Sequence, residues 1–426
     1  MVKSGTILLD ISRLVSRLPR ATLTGVDRVE RAYLRFVLNR SGRVFGLLRS
    51  PTGFLLLDRD GLSSLEARLE GRHTWPEPHW IDVRAMRARP GKAKVLAHFR
   101  SLAVDRCSRL GLKRLLARNR LSNGDYFNVG HSNLTNRVLS GCRAAGLRVH
   151  VLIHDTLPLD VPQFMRADTI PRFQKRMNAV AKHADCVIHP NETTKRTTEA
   201  QLAKLGRVPS GLVSPLGVDV PDPDLSGLPD YLGSLEGVFL TVGTIEPRKN
   251  HGLLLDLWEA LARDETINSL PTLVLAGSRG WHDRAFFERL EASPLYGKSI
   301  FEAPNLDDRA LAALYQKATA LLFPSHAEGT GLPPLEAATL GCSIIAADLP
   351  VYRETLGSLP VYLSPVDMYP WLQIIKENLA GSRALAPIPA FSPPKWDAHF
   401  KTVFPDGVSS QAFPSVTETE TKGTGA

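Results

Sequence analysis

Cysteine and long apolar runs are what this sequence has least of. Four cysteines (Cys107, Cys142, Cys186 and Cys342) in 426 residues are no disulfide framework, so we read the thiols as reduced, in a cytosolic setting. No run of about 18 apolar residues occurs, which argues against a spanning helix. The opening MVKSGTILLDISRLV reaches Asp10 and Arg13 too soon for a secretory apolar region. No GxxxxGK[ST] pattern is present, which excludes a P-loop nucleotide hydrolase. No Asp-x-Asp stands at a strand end in a metal-binding context. Asp307-Asp308 precedes a helical stretch and reads as a cap and first-turn pair.

Apolar residues at 43% and charged residues at 22% are ordinary globular usage. A chain of 426 residues suggests two domains. The net charge of +9 is unevenly spread: residues 84–120 hold twelve Lys or Arg against one acid, Asp105. Within that run RLGLKRLLARNR can form a helix, with Leu110, Leu112, Leu115 and Leu116 among its cations. The run suits docking onto an anionic membrane or polymer. It suits equally a solvated basic face beside a substrate cleft. Nucleic acid is disfavoured, because no aromatics interleave with the cations.

Strand-like runs alternate with helical ones throughout. GTILLDIS, VFGLLR, DYFNVG, VHVLIHD and CVIHPN come in the first half, and GVFLTVG, TLVLAG, SIFEAP, ALLFPS and SIIAAD in the second. This predicts an α/β fold with parallel sheets covered on both faces. We expect one doubly wound domain over 1–222, a linker over 223–235 and a second over 236–385. A final helix in 386–405 should pack back on the first domain through Trp396, and 406–426 should form a mobile tail.

Two segments carry chemistry. In FPSHAEGTGLPPLEAATLG a strand ends, a loop presents Glu328, and a helix opens with Pro333-Pro334 and Glu336 in its first turn. Carboxylates at that sheet edge are good acceptors for sugar hydroxyls. Gly329 and Gly331 allow close backbone approach, and the helix N-terminus favours an anion. In FLTVGTIEPRKNHGLLLDLWEAL a strand ends at Gly243-Thr244, and the loop presents Arg248 and Lys249, two adjacent cations suited to a diphosphate.

These two elements, in this order and about 80 residues apart, resemble the retaining, metal-independent glycosyltransferases of the GT-B fold, group 1 or family 4. LDISRLV…TLTGVDRVERAYLRF is similar to the opening of bacterial capsule, O-antigen and exopolysaccharide transferases, mannosyltransferase-like members in particular. VLIHDTLPLDVPQF is similar to the family's HD strand end. The resemblance implies two doubly wound Rossmann-like domains facing across a cleft, with a nucleotide-sugar donor, GDP-mannose or a related hexose, and a saccharide or lipid-linked acceptor. It implies no metal and no other cofactor; from the reduced cysteines and the basic run over residues 84–120 we expect a cytoplasmic protein, peripheral on the inner membrane face.

Residue by residue, the resemblance implies that Glu336 holds the ribose hydroxyls and Glu328 the donor sugar near C3 and C4. Arg248 and Lys249 would neutralise the diphosphate, with Gly243 and Thr244 at their strand end. Backbone N–H groups of Gly329, Thr330 and Gly331 would meet sugar or phosphate. Family members commonly carry Phe or an aliphatic residue at position 330, so Thr330 bears on donor preference. Gly25 would bring the first domain's backbone to the phosphate or acceptor. His154 would meet the sugar's C6 hydroxyl or the reacting centre, with Asp155 holding it. The loop at Asn305 and Leu306 would cover the base. His131, in VGHSNL, reads as structural or as a cleft-lining residue. A nucleotide-sugar epimerase on the same scaffold and a silent scaffold protein of a polysaccharide complex remain alternatives.

Overall fold

The computed structural model describes residues 5–18, 23–71, 90–233 and 237–405. The expected tail over 406–426, and the part of the basic run before residue 90, lie outside these.

The first lobe is built on an eight-stranded sheet. Its strands are β1 (Ile7–Asp10), β2 (Val44–Arg49), β3 (Gly53–Leu57), β4 (Asp105–Ser108), β5 (Asp125–Asn128), β6 (Arg148–Leu152), β7 (Cys186–His189) and β8 (Ser210–Val213). Their order is β4-β3-β2-β1-β5-β6-β7-β8. From β2 to β8 neighbours run parallel, whereas β3 lies antiparallel to both β2 and β4. The expected parallel sheet thus carries an antiparallel edge at β3 and β4. Only Ser50, Pro51 and Thr52 separate β2 from β3. A parallel crossover needs about a dozen residues, so the chain can only turn back.

The second lobe holds six strands: β9 (Val238–Val242), β10 (Thr272–Ala276), β11 (Ile300–Glu302), β12 (Ala320–Phe323), β13 (Ile344–Ala347) and β14 (Val361–Leu363). They are parallel throughout, in the order β11-β10-β9-β12-β13-β14. The central strands VFLTV, ALLF and IIAA are buried along their whole length, as helices on both sheet faces require. In each sheet the order reverses beside the lobe's first strand, between β1 and β5 and between β9 and β12. The carboxyl ends of strands at such a reversal frame the crevice where ligands bind.

The Pro- and Asp-rich stretch expected as a linker is part of the second lobe. Leu228 and Leu232 are buried in its core, and Tyr231 donates to the Glu302 carbonyl at 3.0 Å. Proline and aspartate there shape turns, while the leucines between them do the anchoring. The helix Trp396–Val403 returns to the first lobe. Trp396, Phe400, Val403 and Phe404 join its core, with Phe400 stacked on Phe36 at 4.0 Å between ring centroids. His399 is buried there between Tyr33 Oη (2.8 Å) and Ser214 Oγ (2.9 Å). All four cysteines are unpaired.

In the basic run, Leu112, Leu115 and Leu116 are buried in the first lobe's core, while Leu110 is 82% exposed. The apolar face of that helix is therefore used inside the protein, leaving Lys113 and Arg114 outward with Leu110.

Candidate functional site

The loops that follow β9 and β12 meet at the reversal point of the second sheet. After β9 the chain passes Gly243 and forms a short turn, Pro247–Lys249, before the helix His251–Ala262. After β12 it reaches Glu328 and a Gly-Thr-Gly turn, then the helix Leu332–Thr339. Gly243, with φ +135°, leaves room that a Cβ would take from the Lys249 side chain, 3.1 Å away. Thr244 is exposed, its methyl against Gly280.

Three sequence-predicted residues come together here. Glu328 Oε1 lies 2.7 Å from Arg248 Nη1 and 2.6 Å from Lys249 Nζ. Burial pushes the Glu328 carboxyl up, but the opposing charges of Arg248 and Lys249 overcome it and hold the group at about 2. Burial pushes the Lys249 ammonium down from its ordinary value. Its Nζ also lies 4.3 Å from the centre of the Phe323 ring. Sequence reasoning passed over Glu246, two residues before Arg248. This buried carboxylate accepts from Arg248 Nε at 3.0 Å and Nη2 at 2.7 Å, while Nη1 donates to the Ala327 carbonyl at 2.6 Å. The guanidinium is thereby clamped in place. Lys249 keeps more of its donors free.

The first lobe presents His154 and Asp155 to this cluster. A Cβ on Gly329 would stand 2.6 Å from the His154 carbonyl oxygen and 2.9 Å from Asp155 Cβ, so only glycine permits this approach of the two lobes. The Gly329 carbonyl accepts from Asn191 Nδ2 at 2.8 Å and Thr194 Oγ1 at 3.1 Å. His154 Nε2 donates to the Val129 carbonyl at 2.7 Å. Burial lowers this imidazole to about 4, so it is neutral at pH 7 and its Nδ1 is an acceptor. Burial raises the Asp155 carboxyl, against the pull of Arg248. His131 lies beside His154, ring centroids 5.1 Å apart, and its Nε2 donates to the Leu152 carbonyl at 2.9 Å. Burial holds His131 well below its ordinary value.

Glu336 belongs to a second cluster on the far side of the Gly-Thr-Gly turn. Its Oε1 accepts from Arg28 Nη1 at 2.6 Å, and its Oε2 from Tyr315 Oη at 3.3 Å. Arg28 also binds Asp308. Burial raises the Glu336 carboxyl, and Arg28 opposes that rise. A cavity of about 170 Å³ opens here, bounded by Gly25, Arg28, Asp308, Leu332, Glu336 and Trp396. A Cβ on Gly25 would stand 3.0 Å from Leu332 Cδ1, so Gly25 again marks a close approach between lobes. Arg28 sits one turn after Gly25 on the helix Gly25–Asn39, a spacing that could have flagged it. Its partner lies 308 residues away in sequence, which no local pattern reveals. Asp307 caps its helix, accepting from Ala310 N at 2.7 Å, as expected. Gly331, at φ +74°, faces the Tyr352 ring with no room for a Cβ. Thr330 is half-buried between the two clusters, and Leu306 packs against the second lobe's core.

With this geometry in view, residues 234–359 match the family described as glycosyl transferases group 1. Over 263 residues the chain is 31% identical to the serotype-specific mannosyltransferase WbdA of Escherichia coli, covering 56% of this chain and 32% of that protein. It is 26% identical over 226 residues to the O-antigen chain mannosyltransferase RfbU of Salmonella typhimurium, covering 53% and 59%. The chain thus spans about a third of WbdA's length. Anabaena Alr3699/HepE, solved in complex with UDP and glucose, superposes with a TM-score of 0.58 at 14% identity over 93% of this chain and 95% of that one. That likeness establishes a shared two-lobed fold.

Proposed function

We propose that this chain, which carries a group 1 glycosyl transferase domain on a GT-B fold, moves a hexose from a nucleotide diphosphate sugar to a saccharide or lipid-linked saccharide. The product would be a surface polysaccharide. One observation carries the reading: Glu328 is held between Arg248 and Lys249 at the reversal point of the second sheet, and the next residue, Gly329, abuts the His154 carbonyl and Asp155 of the other lobe. Mannose is the first candidate sugar, because WbdA and RfbU are named mannosyltransferases. GDP is the nucleotide we favour with it.

The chemistry follows from charge. Breaking the bond between the sugar and the diphosphate leaves new negative charge on the diphosphate, and preorganised cations stabilise it. Lys249 supplies free N–H donors and Arg248 a fixed positive field. Glu328 holds both in position and accepts from a sugar hydroxyl. His154 Nδ1 accepts from another. Glu336 takes the ribose hydroxyls as Arg28 yields its place. The acceptor oxygen bonds to the anomeric carbon on the face the diphosphate leaves, its proton passing to the departing phosphate oxygen, so the configuration is retained. Arg248 and Lys249 carry the leaving-group charge without assigning a step to a metal, and turnover in the presence of a chelator checks that assignment.

The test is a hydrolysis screen across nucleotide sugars. Slow attack by water reports the donor without needing the acceptor. We expect cleavage of a GDP-hexose, lost in Lys249→Met. Cleavage of none would overturn the reading. For location, we infer attachment to the inner face of an anionic membrane through Lys113, Arg114 and Leu110. Sedimentation with anionic vesicles should fall severalfold in K113E/R114E, and equal sedimentation would remove that assignment.

A further inference from the structure

A second cavity, of about 710 Å³, lies in the first lobe, clear of the residues of the donor clusters. It opens at the reversal point of the first sheet. Ser12 after β1, Arg49 at the end of β2 and the segment His131–Asn136 after β5 form one side. The helix Thr169–His183 forms the other, presenting Arg172, Lys175 and Arg176 at i, i+3 and i+4 and so on one face. No acid lines the cavity. Arg172 reaches Asp168 at 3.3 Å on the exposed side. Among the described residues, no acid forms an ion pair with Arg49, Lys175 or Arg176.

Arg176 is the informative group. It is half-buried, yet its neighbours include two further cations, Arg13 and Arg172, and burial together with those charges lowers its pKa. Arg13 is already committed to Asp27 at 2.7 Å. A half-buried guanidinium without a counter-ion is costly, and several cations converging on one concave site attract an anion. The site also adjoins the chemistry. His131 lines it and stands beside His154, whose carbonyl abuts Gly329, next to Glu328.

We propose that this cavity receives an oxyanion carried by the acceptor, with Arg176, Lys175, Arg172 and Arg49 as its counter-charges. The inference rests on the transferase reading and sharpens it: the acceptor is an anionic saccharide. The oxyanion is either the phosphate that joins a sugar to its carrier or a carboxylate on the sugar itself.

Calorimetry at fixed ionic strength on the full chain separates these, using phenyl phosphate, phenyl β-glucuronide and neutral phenyl α-mannoside as probes. We expect at least one anionic probe to bind tenfold or more tighter than the mannoside. That advantage should shrink about tenfold in Arg176→Met and severalfold in Lys175→Gln, the latter an exposed change with little bearing on folding. Tighter phosphate binding assigns the carrier phosphate, and tighter glucuronide binding assigns an acidic sugar. Equal affinity for all three probes, or an anion preference untouched by both substitutions, would overturn the proposal. Donor hydrolysis by the unaltered protein is measured alongside. Hydrolysis without anion preference defeats this inference alone, and anion preference without hydrolysis defeats the donor reading alone.

Discussion

Glu328 has its charge balanced by two side chains and by little else. Glu328→Gln leaves Lys249 buried without its ion-pair partner. Breaking one side of a buried pair costs about 3–5 kcal/mol, which chemical denaturation will read. Turnover should fall by roughly a hundredfold, the usual size of one lost electrostatic contribution in an active site. The pH dependence has a defined sign. Burial raises the Glu328 carboxyl, the two cations more than reverse this, and the folded value of about 2 lies below the ordinary 4.5. Its ionised form therefore favours folding above pH 4.5, and that contribution is lost as pH falls from 4.5 toward 2. The acid limb of stability should be shallower in Glu328→Gln; an unchanged limb would contradict the ion pair. Glu328, Arg248 and Lys249 were legible in the sequence because each follows a strongly apolar strand. Glu246 was not, because a carboxylate beside two cations reads as surface charge until burial is known.

At the scale of elements, the Gly-Thr-Gly turn limits how closely the two lobes can approach. Gly329→Ala would place a Cβ 2.6 Å from the His154 carbonyl oxygen. Backbone on the opposite lobe cannot shift as a side chain can. We expect turnover to fall tenfold or more with little change in the denaturation midpoint, because the clash lies between lobes and not in either core. Wild-type turnover would show that this approach is absent from the working state. Most apolar strands of both sheets were visible in the sequence, since parallel strands buried on both faces are near-continuous apolar runs, but β3 (GFLLL), buried throughout, and β8 (SGLV) were passed over. β4 was not visible: DRCS alternates half-buried and exposed residues and owes its place to pairing with β3. β14 is three residues long, too short for a periodic signal. The order of strands, and hence the two reversal points, depends on pairings between distant segments that no local pattern encodes.

For the whole molecule, the decisive property is that polar groups hold the lobes together. Arg28 spans from the first lobe to Glu336 and Asp308 of the second. Glu354 accepts from Glu192 N at 2.6 Å and Thr193 N at 2.9 Å, capping a helix of the opposite lobe. Phe164 stacks on His326 with ring centroids 4.4 Å apart. The partly exposed Arg28–Asp308 pair contributes only about 0–1 kcal/mol and weakens with salt, whereas the Arg28–Glu336 pair is largely buried and screened less, so salt adjusts only part of the closure. Arg28 also occupies the carboxylate we assign to the ribose, so donor binding and closure compete for one group. The variant R28A/E354A should therefore have a larger radius of gyration in solution scattering than the unaltered protein, most clearly at low salt, where the native contacts are strongest. Since closure excludes water from the donor, the ratio of hydrolysis to transfer should rise severalfold in the same variant. Added donor should return the variant toward the compact form, because Glu328, His154 and Asp155 still converge on it. Identical scattering curves for the two proteins across a salt series would mean that the lobes are fixed by their cores, and that Arg28 has no part in their movement.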